Sequence, residues 1–109
     1  MKIVHLEGDN EFPQIIAFRR RIEEIYGISV ELLTMDLQKE CRGLIDRGYK
    51  CNMVGKRRTD PNSANLDVIT ANGPAFPPYT RVFPIMDWNY GLVWQFLRGF
   101  EVPYCELYD

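Results

Sequence analysis

The chain has 109 residues, enough for one modest core, and its 46% apolar and 26% charged residues are the balance of an ordinary globular domain. A formal net charge of -2 supplies no basic surface for nucleic acid, and no apolar run approaches the roughly 20 residues that span a bilayer. Cys41, Cys51 and Cys105 are odd in number with no close pair, which argues against a disulfide framework or a zinc site; with no signal-peptide pattern at the start, a reducing, cytoplasmic setting is expected.

Residues 2–6 (KIVHL) read as a short strand followed by a polar turn, with Asp9 or Asn10 available to cap a helix. Phe12, Ile15, Ile16, Ile22, Ile25 and Tyr26 then recur at three- and four-residue steps, and Pro13 falls in the first turn, where proline is tolerated. Arg19, Arg20 and Arg21 interrupt this stripe and read as a mainly solvated helix face. Gly27 ends the helix as a C-terminal cap. Residues 28–33 (ISVELL) form the second strand. Asp36 can cap a second helix whose Leu37, Cys41, Leu44 and Ile45 share one stripe, and Gly48 ends it. Residues 49–54 (YKCNMV) form the third strand. Strand, helix, strand, helix, strand predicts an α/β fold: a three-layer, Rossmann-like parallel sheet with helices on both faces, in a single domain over 1–109.

After Val54 the periodicity vanishes for about 25 residues rich in turn formers, a length that is usually functional in a compact domain. Residues 81–86 (RVFPIM) resume an extended, apolar character. Asp87 is then the expected cap of a last helix, in which Tyr90, Val93, Trp94, Leu97 and Phe100 share a face.

The strongest chemical signal is Gly55-Lys56-Arg57-Arg58-Thr59-Asp60-Pro61, directly after the third strand. Ligands in open α/β sheets bind at the carboxyl ends of strands, so this loop has the address of a site. Glycine allows close backbone approach, arginine offers a planar fork for phosphate oxygens, and the Thr59 hydroxyl can donate to another. Asp60 can orient an arginine, accept from a base or ribose, or approach a metal ion. The competing reading is a solvated basic turn broken by Asp-Pro. The second cluster, Pro84 to Tyr90, reads either as Asp87 capping a helix over a core of Trp88 and Tyr90, or as Asp87 also serving a ligand site. His5, the only histidine, reads as structural, and no Ser-His-Asp or Cys-His pattern is present. Cys105 reads as a buried small hydrophobe.

Residues 55–66 (GKRRTDPNSANL), with 76–109 (FPPYTRVFPIMDWNYGLVWQFLRGFEVPYCELYD), resemble the eukaryotic-type FAD synthases (FMN adenylyltransferases). These belong to the PAPS-reductase-like branch of the adenine-nucleotide α-hydrolase-like folds. Glu11-Phe12-Pro13 is similar to that family's E-F-P element, so the resemblance covers nearly the whole chain. It implies MgATP and FMN as substrates and FAD and pyrophosphate as products. It places Arg57, Arg58, Thr59 and Asp60 in the flavin and nucleotide cleft, with Asp60 and Arg58 catalytic. Gly55 lies on the adenine side, and Asp87 and Trp88 on the flavin-side wall. Lys56 and Phe76 depart from the usual residues at their positions. The resemblance also implies a preceding strand with an S-G-G-K-D-S-like phosphate loop and a following G-Y-T-S-L-G segment. Without them the chain is expected to be a partial catalytic domain, prone to self-association or completed by another chain. Alternatives are a PAPS-reductase-like sulfur-assimilation fragment, or a non-catalytic flavin-, nucleotide- or partner-binding derivative.

Overall fold

The computed structural model describes residues 1–71 and 78–109. Pro74, Phe76 and Pro77, part of the expected loop, lie outside the described residues. The chain divides into two compact units: Met1–Asp36 with Leu97–Asp109, and Leu37–Phe96.

The first unit is built on a strand–helix–strand unit. Strand β1 (Ile3–Leu6) pairs in parallel with β2 (Val30–Leu33), His5 standing opposite Leu32, and helix α1 (Pro13–Tyr26) makes the crossover. Parallel neighbours need a connection of about a dozen residues or more, and the apolar stripe of α1 provides one that can pack on the sheet. Proline at the start of α1 costs nothing because the first helical N–H groups have no intrahelical acceptor anyway. The cap differs from expectation. Phe12, not Asp9 or Asn10, occupies the N-cap position and makes no side-chain cap bond. Asp9 and Asn10 lie in a turn ahead of the extended Phe12, so their side chains come too early to reach the first turn. Gly27 ends α1 as expected, in the left-handed region with φ 60°, a conformation glycine adopts without a Cβ penalty. Glu23 fixes the exit: its carbonyl accepts from the N–H of Ile28 at 3.1 Å, and its carboxylate accepts from Val30 N–H at 2.7 Å. A 3₁₀ turn over Glu106–Tyr108 closes the chain, and the Cys105 thiol, buried as expected, lies 3.8 Å from the carbonyl of Gln14.

The second unit holds α2 (Leu37–Asp46) and a three-stranded sheet. Strand β3 (Cys51–Met53) pairs in parallel with β5 (Thr80–Val82), and β5 pairs antiparallel with β4 (Ile69–Ala71). Within α2, Cys41, Leu44 and Ile45 are half-buried as their spacing predicts, while Leu37 is exposed. β4 has no signature in the sequence: three residues, two of them exposed, lie in a stretch without alternation. The core of this unit is Phe83 and Met86, in the turns that follow β5. Those turns are held by Phe83 N–H to Val68 O at 2.8 Å and Met86 N–H to Phe83 O at 3.1 Å.

Helix α3 covers Tyr90–Gly99. Its cap is Asn89 and not Asp87: the Asn89 side-chain oxygen accepts from Leu92 N–H at 2.8 Å. This bond to the third helical residue is the usual N-cap arrangement. Asp87 is held two residues too early by the turn in which Trp88 N–H reaches Ile85 O at 3.0 Å. The asparagine therefore caps, and the aspartate is left for another partner. Val93, Trp94 and Leu97 are half-buried as predicted, whereas Tyr90 and Phe100 are exposed.

Candidate functional site

The loop after β3 is a constructed turn with its own internal bonds. Asp60 N–H donates to Arg57 O at 3.0 Å, closing a four-residue turn, and the Asp60 carboxylate accepts from Arg57 N–H at 2.7 Å. An aspartate can bond its own backbone in this way, and the proline after it keeps Asp60 out of the helical region, so the turn does not grow into a helix. Asn62 follows with φ 61°, a left-handed conformation that asparagine tolerates better than most residues. Ser63 is fully buried, its hydroxyl donating to Pro61 O at 3.2 Å, and Leu66 N–H returns to Ser63 O at 3.2 Å.

Arg58 ties this loop to the turn before α3. Its backbone N–H donates to Met86 O at 2.8 Å. Its Nη1 donates to Ala64 O at 3.1 Å and Leu66 O at 2.9 Å. Its Nε and Nη2 both donate to Asp87 Oδ1, at 2.9 and 2.7 Å. Four of the five guanidinium N–H groups are thus engaged within the second unit. Arg57 is far less committed: its Nη2 lies 4.0 Å from Asp60 Oδ1, beyond a hydrogen bond. Thr59 is exposed and Asp60 is one-third exposed, so both remain open to a bound molecule. A Cβ placed on Gly55 would meet only Ile85 Cδ1, at 3.9 Å. The protein itself therefore has room for a side chain there. Trp88 is half-buried and packs edge-on against Phe96, ring centres 5.4 Å apart.

The structure thus forms two bonded pairs, Arg57 with Asp60 and Arg58 with Asp87, with exposed Thr59 between them in the chain, Gly55 earlier in the same loop, and Trp88 next to Asp87. Sequence reasoning missed the parts that hold it: buried Ser63, the carbonyls of Ala64 and Leu66, and the Asn89 cap that releases Asp87. Only Asn89 left a trace, being a good capping residue directly before the helical stripe.

In the first unit, His5 Nε2 bonds Glu11 Oε1, and Arg19 Nη1 approaches Glu11 Oε2 at 4.0 Å. Arg19 and Glu11 side chains are each only 13% exposed, so Arg19 is withdrawn from solvent, contrary to the solvated face expected of the arginine run. Its position on the inner side of α1 puts the guanidinium against the only carboxylate in reach among the described residues. A cavity of about 410 Å³ in this unit, lined by Gln14, Phe18, Arg21, Val102 and Tyr104 among others, takes none of the loop residues. Among the described residues no group of three or more His, Cys, Asp or Glu is placed to hold a metal ion, and no helix is long and apolar enough to cross a membrane.

A parallel strand pair ending in an arginine-bearing loop marks the α/β proteins that bind ligands at the carboxyl edge of a sheet. The chain belongs to the phosphoadenosine phosphosulfate reductase domain family, whose model matches residues 34–109. It is 43% identical over 108 residues to a probable FAD synthase of Caenorhabditis elegans and 32% identical over 108 residues to one of Caenorhabditis briggsae. Each alignment covers 96% of this chain and 21% of the relative, so the chain spans about a fifth of their length. Among solved structures it resembles Candida glabrata FMN adenylyltransferase in complex with FMN and the ATP analogue AMPCPP, with a TM-score of 0.84 and 27% identity. That match covers 96% of this chain and 39% of the other.

Proposed function

We propose that this chain carries the flavin- and nucleotide-facing part of an FMN adenylyltransferase, which transfers AMP from ATP to FMN and releases pyrophosphate. The observation that carries the reading is the loop after β3: among the described residues the Arg57 guanidinium makes no hydrogen bond, Thr59 is exposed and Asp60 keeps Oδ1 unbonded, while Arg58 spends four guanidinium N–H groups within the unit. Likeness over 96% of this chain to proteins named probable FAD synthase supports this over a sulfur-assimilating reductase.

In the reaction an FMN phosphate oxygen forms a bond to the α-phosphorus of ATP. The bond from that phosphorus to the oxygen bridging to the β-phosphorus breaks, and the electron pair leaves with pyrophosphate. No covalent enzyme intermediate is needed, so the protein's part is positioning and charge neutralisation. Arg57 supplies positive charge to phosphate oxygens, the Thr59 hydroxyl donates to them, and Asp60 orients Arg57 and the substrates. Gly55 gives the adenine room to approach the backbone, and Trp88 offers an aromatic wall to the flavin. Mg²⁺, which binds through one or two carboxylates plus substrate phosphates, would neutralise charge on ATP, and Asp60 Oδ1 is the carboxylate oxygen left for it.

The reading extends to a cytoplasmic setting and to self-association or a complementing chain. β1 and β3 are edge strands of their sheets, and an open edge pairs readily with another strand. The test is a fluorescence titration of the chain with FMN and FAD, with and without MgATP, and an assay of FAD formation in the same samples. Flavin binding that falls at least tenfold in Asp60→Ala is the expected result. Absence of binding to either flavin would defeat the proposal.

A further inference from the structure

The guanidinium of Arg58 is where phosphate chemistry would ordinarily be sought, yet its bonding points elsewhere. Nη1 satisfies two main-chain carbonyls of its own loop, and Nε with Nη2 grips one oxygen of Asp87. A planar fork that already donates four bonds in two directions cannot turn toward a ligand without breaking at least two of them. Asp87 is freed for this grip because Asn89 takes the helix cap. The backbone bond from Arg58 N–H to Met86 O sets the same two segments side by side and anchors them on a residue with no exposed surface.

We propose that Arg58 and Asp87 are a positioning pair: a clasp that presents Arg57, Thr59 and Asp60 in binding geometry while touching neither phosphate nor flavin. Arg57 is then the cation that meets the ligand's phosphate. The proposal rests on the functional reading above and assigns roles within it. Two adjacent arginines divide the work. One is locked by carbonyls and a carboxylate, and the other keeps its charged end for the ligand.

The experiment uses ligand pairs that differ only by phosphate: FMN against riboflavin, and ATP against adenosine. A clasp residue alters the whole site, so Arg58→Ala should weaken both members of a pair by the same factor, about tenfold. Arg57→Ala should weaken FMN or ATP about tenfold while moving riboflavin or adenosine less than twofold. Asp87→Ala should match Arg58→Ala, the double variant should be no worse than the worse single, and Asp87→Asn, whose amide oxygen still accepts from Arg58, should be the mildest. Selective loss of the phosphorylated ligands in Arg58→Ala, or additive losses in the double variant, would overturn the clasp.

Amide exchange over residues 57–66 gives a second readout that needs no ligand. Arg58 is 41% exposed on its side chain, so water can take over the donors that Asp87→Ala releases, and the variant should fold. It should speed exchange in that loop about tenfold, and unchanged exchange would overturn the clasp. Absence of all four ligands from the wild-type chain, with loop exchange still dependent on Asp87, would instead defeat the functional reading and leave the clasp standing.

Discussion

Two arginine–carboxylate networks in this chain use the same chemistry in opposite surroundings. In the first unit Glu11 stands between His5 and Arg19, with Glu11 and Arg19 each 13% exposed. In the second, Arg58 grips Asp87 with side chains 41% and 67% exposed. The buried network is the more poorly bonded of the two. Glu11 Oε2 and Arg19 Nη1 both lack a hydrogen-bond partner and face each other across 4.0 Å. The open network is well bonded, because Arg58 also satisfies two loop carbonyls. Charge in a dry place holds a fold together through the penalty for leaving its partner alone. Charge in a wet place holds a shape mainly through the geometry of its hydrogen bonds.

The contrast breaks if removing Glu11 is harmless. Glu11→Ala leaves the half-buried Arg19, whose Nη1 is withdrawn from solvent, without its carboxylate, and a loss of about 3 kcal/mol is expected, read from urea unfolding. Arg58→Ala should cost less, about 1–2 kcal/mol, since water can reach much of what it leaves behind. Its main effect should be on the loop rather than on global stability, visible as a small change in unfolding midpoint beside a large change in amide exchange.

Asn89→Ala sharpens the comparison by testing which residue caps α3. A loss of about 1 kcal/mol is expected there, with Asp87→Ala leaving helix content unchanged by circular dichroism. The smallest effect at neutral pH belongs to Tyr79, also in the second unit. Burial first, and then the hydrogen bond with the Cys41 thiol, raises its phenol from 10.0 to about 12. The folded state keeps this proton where the unfolded chain releases it. The stability it contributes is therefore complete below pH 10 and is lost as pH rises toward 12. Tyr79 should ionise with a midpoint near 12 by ultraviolet titration, and Tyr79→Phe should remove that late step.

Much of this is legible in the sequence. The alternation of β-rich runs with three- and four-residue apolar spacing located α1, α2, α3 and the first three strands within a few residues. Gly27 marked the end of α1 because its left-handed turn is a local property of the backbone. The loop after β3 stood out because Gly, Arg, Arg, Thr and Asp cluster where an α/β sheet presents ligands. What stayed hidden was pairing. β4 has three residues and no pattern, so its existence depends on β5 lying alongside. Asp87 and Asn89 are equally good caps by type, and only the turn ending at Trp88 decides between them. Arg19 and Arg20 are the same residue one step apart on a helix, and only the helix's orientation decides which one goes dry.

The local elements, the stop at Gly27 and the chemistry available to the loop after β3 follow from neighbouring residues alone, because dihedral preference and side-chain type act over a short stretch of chain. Long-range contacts set the pairing of β3 with β5, the approach of both His5 and Arg19 to Glu11, and the engagement of the Arg58 guanidinium while that of Arg57 makes no hydrogen bond among the described residues. Those outcomes turn on which groups meet across many residues of chain. Hydrogen-bond geometry and desolvation, which set them, exist only once the groups have met.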